Sequence, residues 1–190
     1  MKTNRRSFLS SACATCGCVG LAMAGDALAE TEEQSEEAVK LQERLDQTKA
    51  FAGAWTTSLV TVMDRQLEPE AVASVLEACG RACAERNSGK MIATYSGDPD
   101  GLLAKMKELW LDSFTYDKEQ RRIELVGRET AECYCPIHPA DGSYSFCECS
   151  NGYMEFLFGQ VLGTPVEVDL VSSRLRGSTR CSWKITYGQI

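Results

Sequence analysis

The chain has 190 residues, of which 44% are hydrophobic and 25% charged, and carries a formal net charge of −7. That acidic balance disfavours nucleic acid and anionic lipid surfaces, since both select a basic face. No run is apolar and long enough for a stable membrane span, which takes about 20 strongly apolar residues.

The first 29 residues read as a leader. Arg5 and Arg6 precede Ser7-Phe8-Leu9, an uncharged stretch runs from Phe8 to Gly25, and Ala27-Leu28-Ala29 supplies a small-x-small cleavage pattern. The Arg-Arg-x-Phe-Leu core resembles the twin-arginine signal, an address read by a receptor rather than an anchor. The resemblance implies the twin-arginine translocase as a partner during export, cleavage after Ala29, and a periplasmic or extracellular destination. It also implies passage across the membrane in the folded state. The leader holds Lys2, Arg5, Arg6 and Asp26, so the remainder has a net charge of −9. Cys13, Cys16 and Cys18 also belong to it, which leaves seven cysteines, an odd number that cannot all pair within one chain.

Residues 30–38 form an acidic run with almost no apolar content, expected as a solvated tether or a frayed first turn. Residues 39–190 are expected to make one Cys-rich domain, long enough for its own core. From Val39 to Leu67, the recurrence of Leu41, Leu45, Phe51, Trp55, Leu59 and Met63 predicts a helix with that face buried. A second helix begins after Leu67, with Pro69 in its first turn and an apolar line of Val72, Val75, Leu76, Cys79 and Cys83, and ends by Gly89. Asp98-Pro99 supplies the cap and first turn of a third helix carrying Leu102, Leu103, Met106 and Leu109.

The pattern then changes period. Ser113–Tyr116 and Arg122–Val126 flank a polar turn at Asp117-Lys118-Glu119, a hairpin signature. Glu132–Ile137 and Tyr144–Cys149 are expected as further strands. Asn151–Leu162 reads as an amphipathic helix stopped by Gly163, and Val166–Leu175 and 179–187 as alternating strands around a turn at Arg176-Gly177-Ser178. Helices first, then mainly antiparallel strands with one embedded helix, make the fold class α+β.

The chemistry is expected in the cysteines. Cys133-x-Cys135 and Cys147-x-Cys149, if both are strands, put each pair on one face about 6.6 Å apart along the strand. Paired strands would bring four sulfurs to one patch, the donor set of Zn²⁺ or an iron–sulfur cluster. Cys79 and Cys83, at i and i+4 on one helix face, are possible additions to it, although burial as ordinary core residues is their plainer reading. Disulfides across the two Cys-x-Cys pairs are the alternative in an exported protein. Cys181 alternates with Thr179 and Trp183 and reads as core. Cys149, just ahead of the Asn151 helix, is placed where a helix N-terminus favours a thiolate. His138, the only histidine, rules out sites built from several; a solvated loop position is its plainer use, a proton carrier its chemical one. No nucleophile elbow, Walker loop, zincin or dinucleotide motif is present.

Residues 133–185 have the order Cys-x-Cys-Pro, Phe146-Cys147-x-Cys149-Ser150-x-Gly152-Tyr153, a helix, Leu162-Gly163-Thr164-Pro165-Val166, and Arg176-Gly177-x-x-x-Cys181-x-Trp183-x-Ile185. This resembles the Cys-rich domains grouped near the aminothiazoline carboxylate hydrolases and the vinyl-reductase-type ligand-binding domains, with Cys79-Gly80-Arg81-Ala82-Cys83 as its earlier cysteine pair. Ser178 stands where an acidic residue is usual. The resemblance implies an α+β domain with a small-molecule pocket. Two functions are expected from residues and resemblance together. One is an exported metal or cluster domain, held by Cys133, Cys135, Cys147 and Cys149, that binds a small molecule or senses redox state. The other is a hydrolase of a small heterocyclic acid, acting on a C–N or C–S bond with Cys149 as nucleophile and His138 moving the proton. A disulfide-stapled binding module is the third possibility.

Overall fold

The computed structural model describes residues 20–130, 133 and 143–188, with side chains from residue 36 onward. Two compact units divide between Thr48 and Lys49. The order of elements is helix α1 (Gly20–Gln66), α2 (Pro69–Asn87), α3 (Gly89–Tyr95), α4 (Pro99–Leu109), strands β1 (Leu111–Asp117) and β2 (Arg122–Gly127), a 3-10 turn at Tyr144–Cys147, helix α5 (Glu148–Leu162), β3 (Val166–Ser172), a second 3-10 turn at Arg174–Arg176, and β4 (Ser182–Tyr187). The strands form one antiparallel sheet in the order β1-β2-β4-β3. The fold is α+β. No helix among the described residues is long and apolar enough to cross a membrane.

Local chemistry explains most boundaries. The Asp98 carboxylate accepts from the Gly101 amide and starts α4, with Pro99 at its first position. In the β1–β2 hairpin the Asp117 carboxylate accepts from the amides of Glu119 and Gln120, closing the polar turn that the sequence predicts. Gly163 ends α5 in the left-handed conformation at φ 65°, which a residue without Cβ adopts at little cost.

The main core lies between the sheet and helices α4 and α5. Leu102, Leu103, Met106, Leu157, Phe158 and Val161 pack from the helices onto Ile123, Leu125, Trp183 and Ile185 of the sheet. A smaller cluster joins the inner side of α1 at Val60 to Val72 and Leu76 of α2 and to Phe146.

Four expectations are corrected. Residues 144–149 are not a strand: the Ser143 hydroxyl accepts from the Ser145 amide and opens a 3-10 turn, Phe146 is drawn into the smaller cluster, and α5 has begun by Glu148. The strand predicted to Leu175 stops at Ser172, where Ser173 caps the next 3-10 turn by accepting from the Arg176 amide. On α1, Leu41, Leu45, Phe51, Trp55 and Leu59 are exposed, and Val60 faces the core instead. On α2, Val75, Cys79 and Cys83 are exposed, while the neighbouring i, i+4 ridge Val72, Leu76, Gly80 and Ala84 is buried. Helix α1 also begins well before Val39, running through the acidic segment, and the sequence did not predict α3.

Candidate thiol site

Ser173 is the fixed point of the site. It is buried, its hydroxyl accepts from the Arg176 amide, and it lies 3.2 Å from the sulfur of Cys147, whose thiol donates to it. Cys147 closes the 3-10 turn ahead of α5 and packs against the main core, which includes the buried Cys181 at the entrance to β4. The surroundings are closely knit by hydrogen bonds and a ring contact. The Cys147 carbonyl accepts from the Ser150 hydroxyl at 2.7 Å, Ser150 accepts from the Trp183 indole at 3.0 Å, and Trp183 meets Trp110 edge to face. The Cys181 carbonyl accepts from the Gly127 amide and ties β2 to this end of the sheet.

Burial is the main cause raising the pKa of half-buried Cys147 and of buried Cys181. For Cys147 the charges of Cys133 and Cys181 add to the rise, while the Ser173 hydrogen bond and the Arg176 guanidinium oppose it. For Cys181 the charge of Cys133 likewise adds, while a backbone hydrogen bond at Arg174 and the Arg174 charge oppose. Cys133 therefore acts electrostatically on both of the others. Three sulfurs from three chain segments, one following β2, one before α5 and one before β4, share a neighbourhood that no sequence spacing announces.

Among the described residues, Cys147 and Cys149 do not share a face. Cys147 turns toward the main core, whereas Cys149, two residues on and in the first turn of α5, packs against the smaller cluster of Val60, Val72, Leu76 and Phe146. That divergence follows from helical geometry, in which i and i+2 do not share a face. Cys79 and Cys83 share an exposed ridge of α2, with the Asn87 side-chain amide 3.4 Å from the Cys83 sulfur. Cys135 and His138 lie outside the described residues. Among those described, Cys79, Cys83, Cys133, Cys147, Cys149 and Cys181 are all reduced, and no group of three His, Cys, Asp or Glu side chains is arranged to hold a metal ion. Sequence reasoning took Cys181 as plain core, and Ser173 carried no signal at all.

Beside the thiols, Pro69, Ala73, Tyr144, Ser145, Glu148 and Arg176 line an open groove of about 390 Å³. Glu148 and Arg176 form an ion pair at its wall, and Glu148 also accepts from the Asn151 side-chain amide. Asn151 is 6% exposed, and its own carbonyl oxygen has no partner among the described residues. One turn along, Arg81 of α2 pairs with Glu155 of α5. Burial, followed by repulsion from Glu155, raises the Glu77 pKa, against the opposing pull of Arg81.

No family model matches the chain, and no curated protein does either. Among solved structures, the trafficking protein particle complex subunit 3 from Naegleria fowleri covalently bound to palmitic acid is similar at 14% identity and a TM-score of 0.49, over 75% of this chain and 96% of that one. A vinyl-4-reductase family protein from Methanocaldococcus jannaschii is similar at 10% identity and a TM-score of 0.35, over 74% of this chain and 81% of that one.

Proposed function

We propose that this is an exported domain that senses redox state through Cys133, Cys147 and Cys181. The observation that supports it is the hydrogen bond of Cys147 to buried Ser173 at the edge of an apolar core that also holds Cys181, with Cys133 acting electrostatically on both. Oxidation joins two of the sulfurs in a disulfide and passes two electrons and two protons to an external disulfide of the glutathione type. In this reading Cys133, which acts electrostatically on both other thiols, is one partner of the bond. The twin-arginine leader would deliver the domain to a compartment where such oxidants persist.

The thiols are poised to react slowly at neutral pH. The raised pKa of Cys147 and Cys181 keeps those two protonated, and exchange runs through the thiolate. The sign is definite: the reaction accelerates as pH rises through and beyond the ordinary thiol value of about 8.5. Exposed Cys79 and Cys83 should be alkylated first at neutral pH, with Cys147 and Cys181 lagging until the pH is raised. The test is peptide mapping after treatment with glutathione disulfide. A link from Cys133 to Cys147 or Cys181, abolished by Cys133→Ser, is expected. Oxidation confined to Cys79 and Cys83 would sink the proposal.

A soft-metal role for Cys133, Cys135, Cys147 and Cys149 is a second reading, favoured only by the electrostatic coupling of Cys133 to Cys147. It requires near-stoichiometric zinc, or iron with sulfide, in protein purified without oxygen. Either reading accommodates a small molecule in the groove beside Arg176.

A further inference from the structure

Cys79 and Cys83 are the thiols that the proposed oxidation leaves unused. Both are reduced and exposed, four residues apart on one ridge of α2. Helical neighbours at this spacing hold their Cβ atoms about 5–6 Å apart, whereas a disulfide asks for about 3.5–4.5 Å. The intact helix therefore opposes a bond between the two sulfurs. The same spacing suits an ion seated between them, because two metal–thiolate bonds of about 2.3 Å place the sulfurs roughly 4.6 Å apart.

We propose that this pair binds a soft monovalent ion of the Cu(I) class, held between the two thiolates. Thiolate ligands select such an ion. The helical neighbours of the two cysteines at three and four residues are Val75, Leu76, Gly80, Ala82, Arg86 and Asn87, which include no carboxylate or imidazole. Among the described residues, no group of three His, Cys, Asp or Glu side chains is arranged to hold a metal ion. Zinc takes four such donors and calcium at least six oxygens, so both are poorly served here, whereas two sulfurs satisfy Cu(I). The Asn87 side-chain amide donates to the Cys83 carbonyl at 2.9 Å and lies 3.4 Å from its sulfur, where it favours the anionic, metal-bound form. Arg86, three residues beyond Cys83, adds positive charge on the same ridge. Burial, then the charge of Cys83, raises the Tyr153 pKa, so the same sulfur is felt across the α2–α5 contact. Binding forms two copper–sulfur bonds and releases two protons, with no change of oxidation state.

Alkylation with N-ethylmaleimide and peptide mapping test this on the full reduced chain under argon, with free Cu(I) buffered by bicinchoninate. Alkylation of Cys79 and Cys83 should fall together, at one shared Cu(I) midpoint. Cys79→Ser should raise the midpoint for Cys83 by roughly 100-fold or more, and Cys83→Ser that for Cys79, because the second thiolate binds at the effective concentration set by the helix. Both positions are exposed, so the far-UV circular dichroism of each variant should match that of the parent. Separate midpoints for the two cysteines, or midpoints that stay put in the single variants, would overturn the paired site. Equal protection of the pair by Zn²⁺ at the same free concentration would overturn the two-coordinate assignment. The outcome at Cys133, Cys147 and Cys181 is mapped in the same digest and bears only on the redox reading.

Discussion

Helices α2 and α5 meet through almost nothing, while α1 turns its bulkiest side chains to the outside. At the α2–α5 crossing the contact is made by glycine. A Cβ added at Gly80 would lie 1.9 Å from the Cys149 carbonyl oxygen, and one added at Gly152 would lie 1.9 Å from that of Glu77. Backbones brought this close hold the two helices by dispersion over many small contacts, and they set Arg81 against Glu155 at the edge. On α1, by contrast, Phe51, Trp55 and Leu59 have the hydrophobicity of core residues and no cover within the chain. Apolar content and burial are therefore separate properties here: the residues that bring helices together are small, and the residues that would drive association face outward.

Substitutions at the two places should differ sharply in cost. The largest effect is expected at Gly152→Ala, where the new Cβ collides with backbone rather than with a movable side chain. A loss of several kcal/mol, or failure to fold, is expected in urea denaturation. A loss below about 1 kcal/mol there would mean that the crossing is looser than its geometry. Next comes Leu76→Ala, which empties a position 6% exposed in the cluster that holds Val60 of α1 onto α2. About 2–5 kcal/mol is expected by the same measurement, and the size of the loss reports how firmly the inner side of α1 is held. The smallest effect belongs to Trp55→Ala. By the same measurement it should stay within about 0.5 kcal/mol of the parent despite the size of the side chain. A large loss there would show that the outer face of α1 is covered within its own chain, and the contrast between the two regions would disappear.

The sequence was informative wherever a signal was local. The Asp98 cap, the polar turn at Asp117, the stop at Gly163 and the alternation of β4 all depend on residues a few positions apart, and each stands where it was expected. It misled where a residue's surroundings come from distant parts of the chain. Tyr144–Cys149 alternates like a strand, yet the Ser143 cap and the pull of Phe146 toward Val60, Val72 and Leu76 wind it into a 3-10 turn and the start of a helix. That change of period turns Cys147 and Cys149 to different sides, so the shared face expected of that pair is absent.

What the sequence determined by itself is the α+β order of elements, their caps and turns, and the supply of thiols. These follow from dihedral preferences and from hydrogen bonds between near neighbours. Which cysteines meet was decided only by the tertiary structure. Cys147 reaches Ser173 from the segment before α5, and Cys133, after β2, acts on both Cys147 and Cys181, which precedes β4. The tertiary structure also chose which ridge of each helix is buried. The sequence grouped Val72, Val75, Leu76, Cys79 and Cys83 on one apolar line, and the close approach of α5 at Gly80 selected the Val72, Leu76, Gly80 and Ala84 ridge instead.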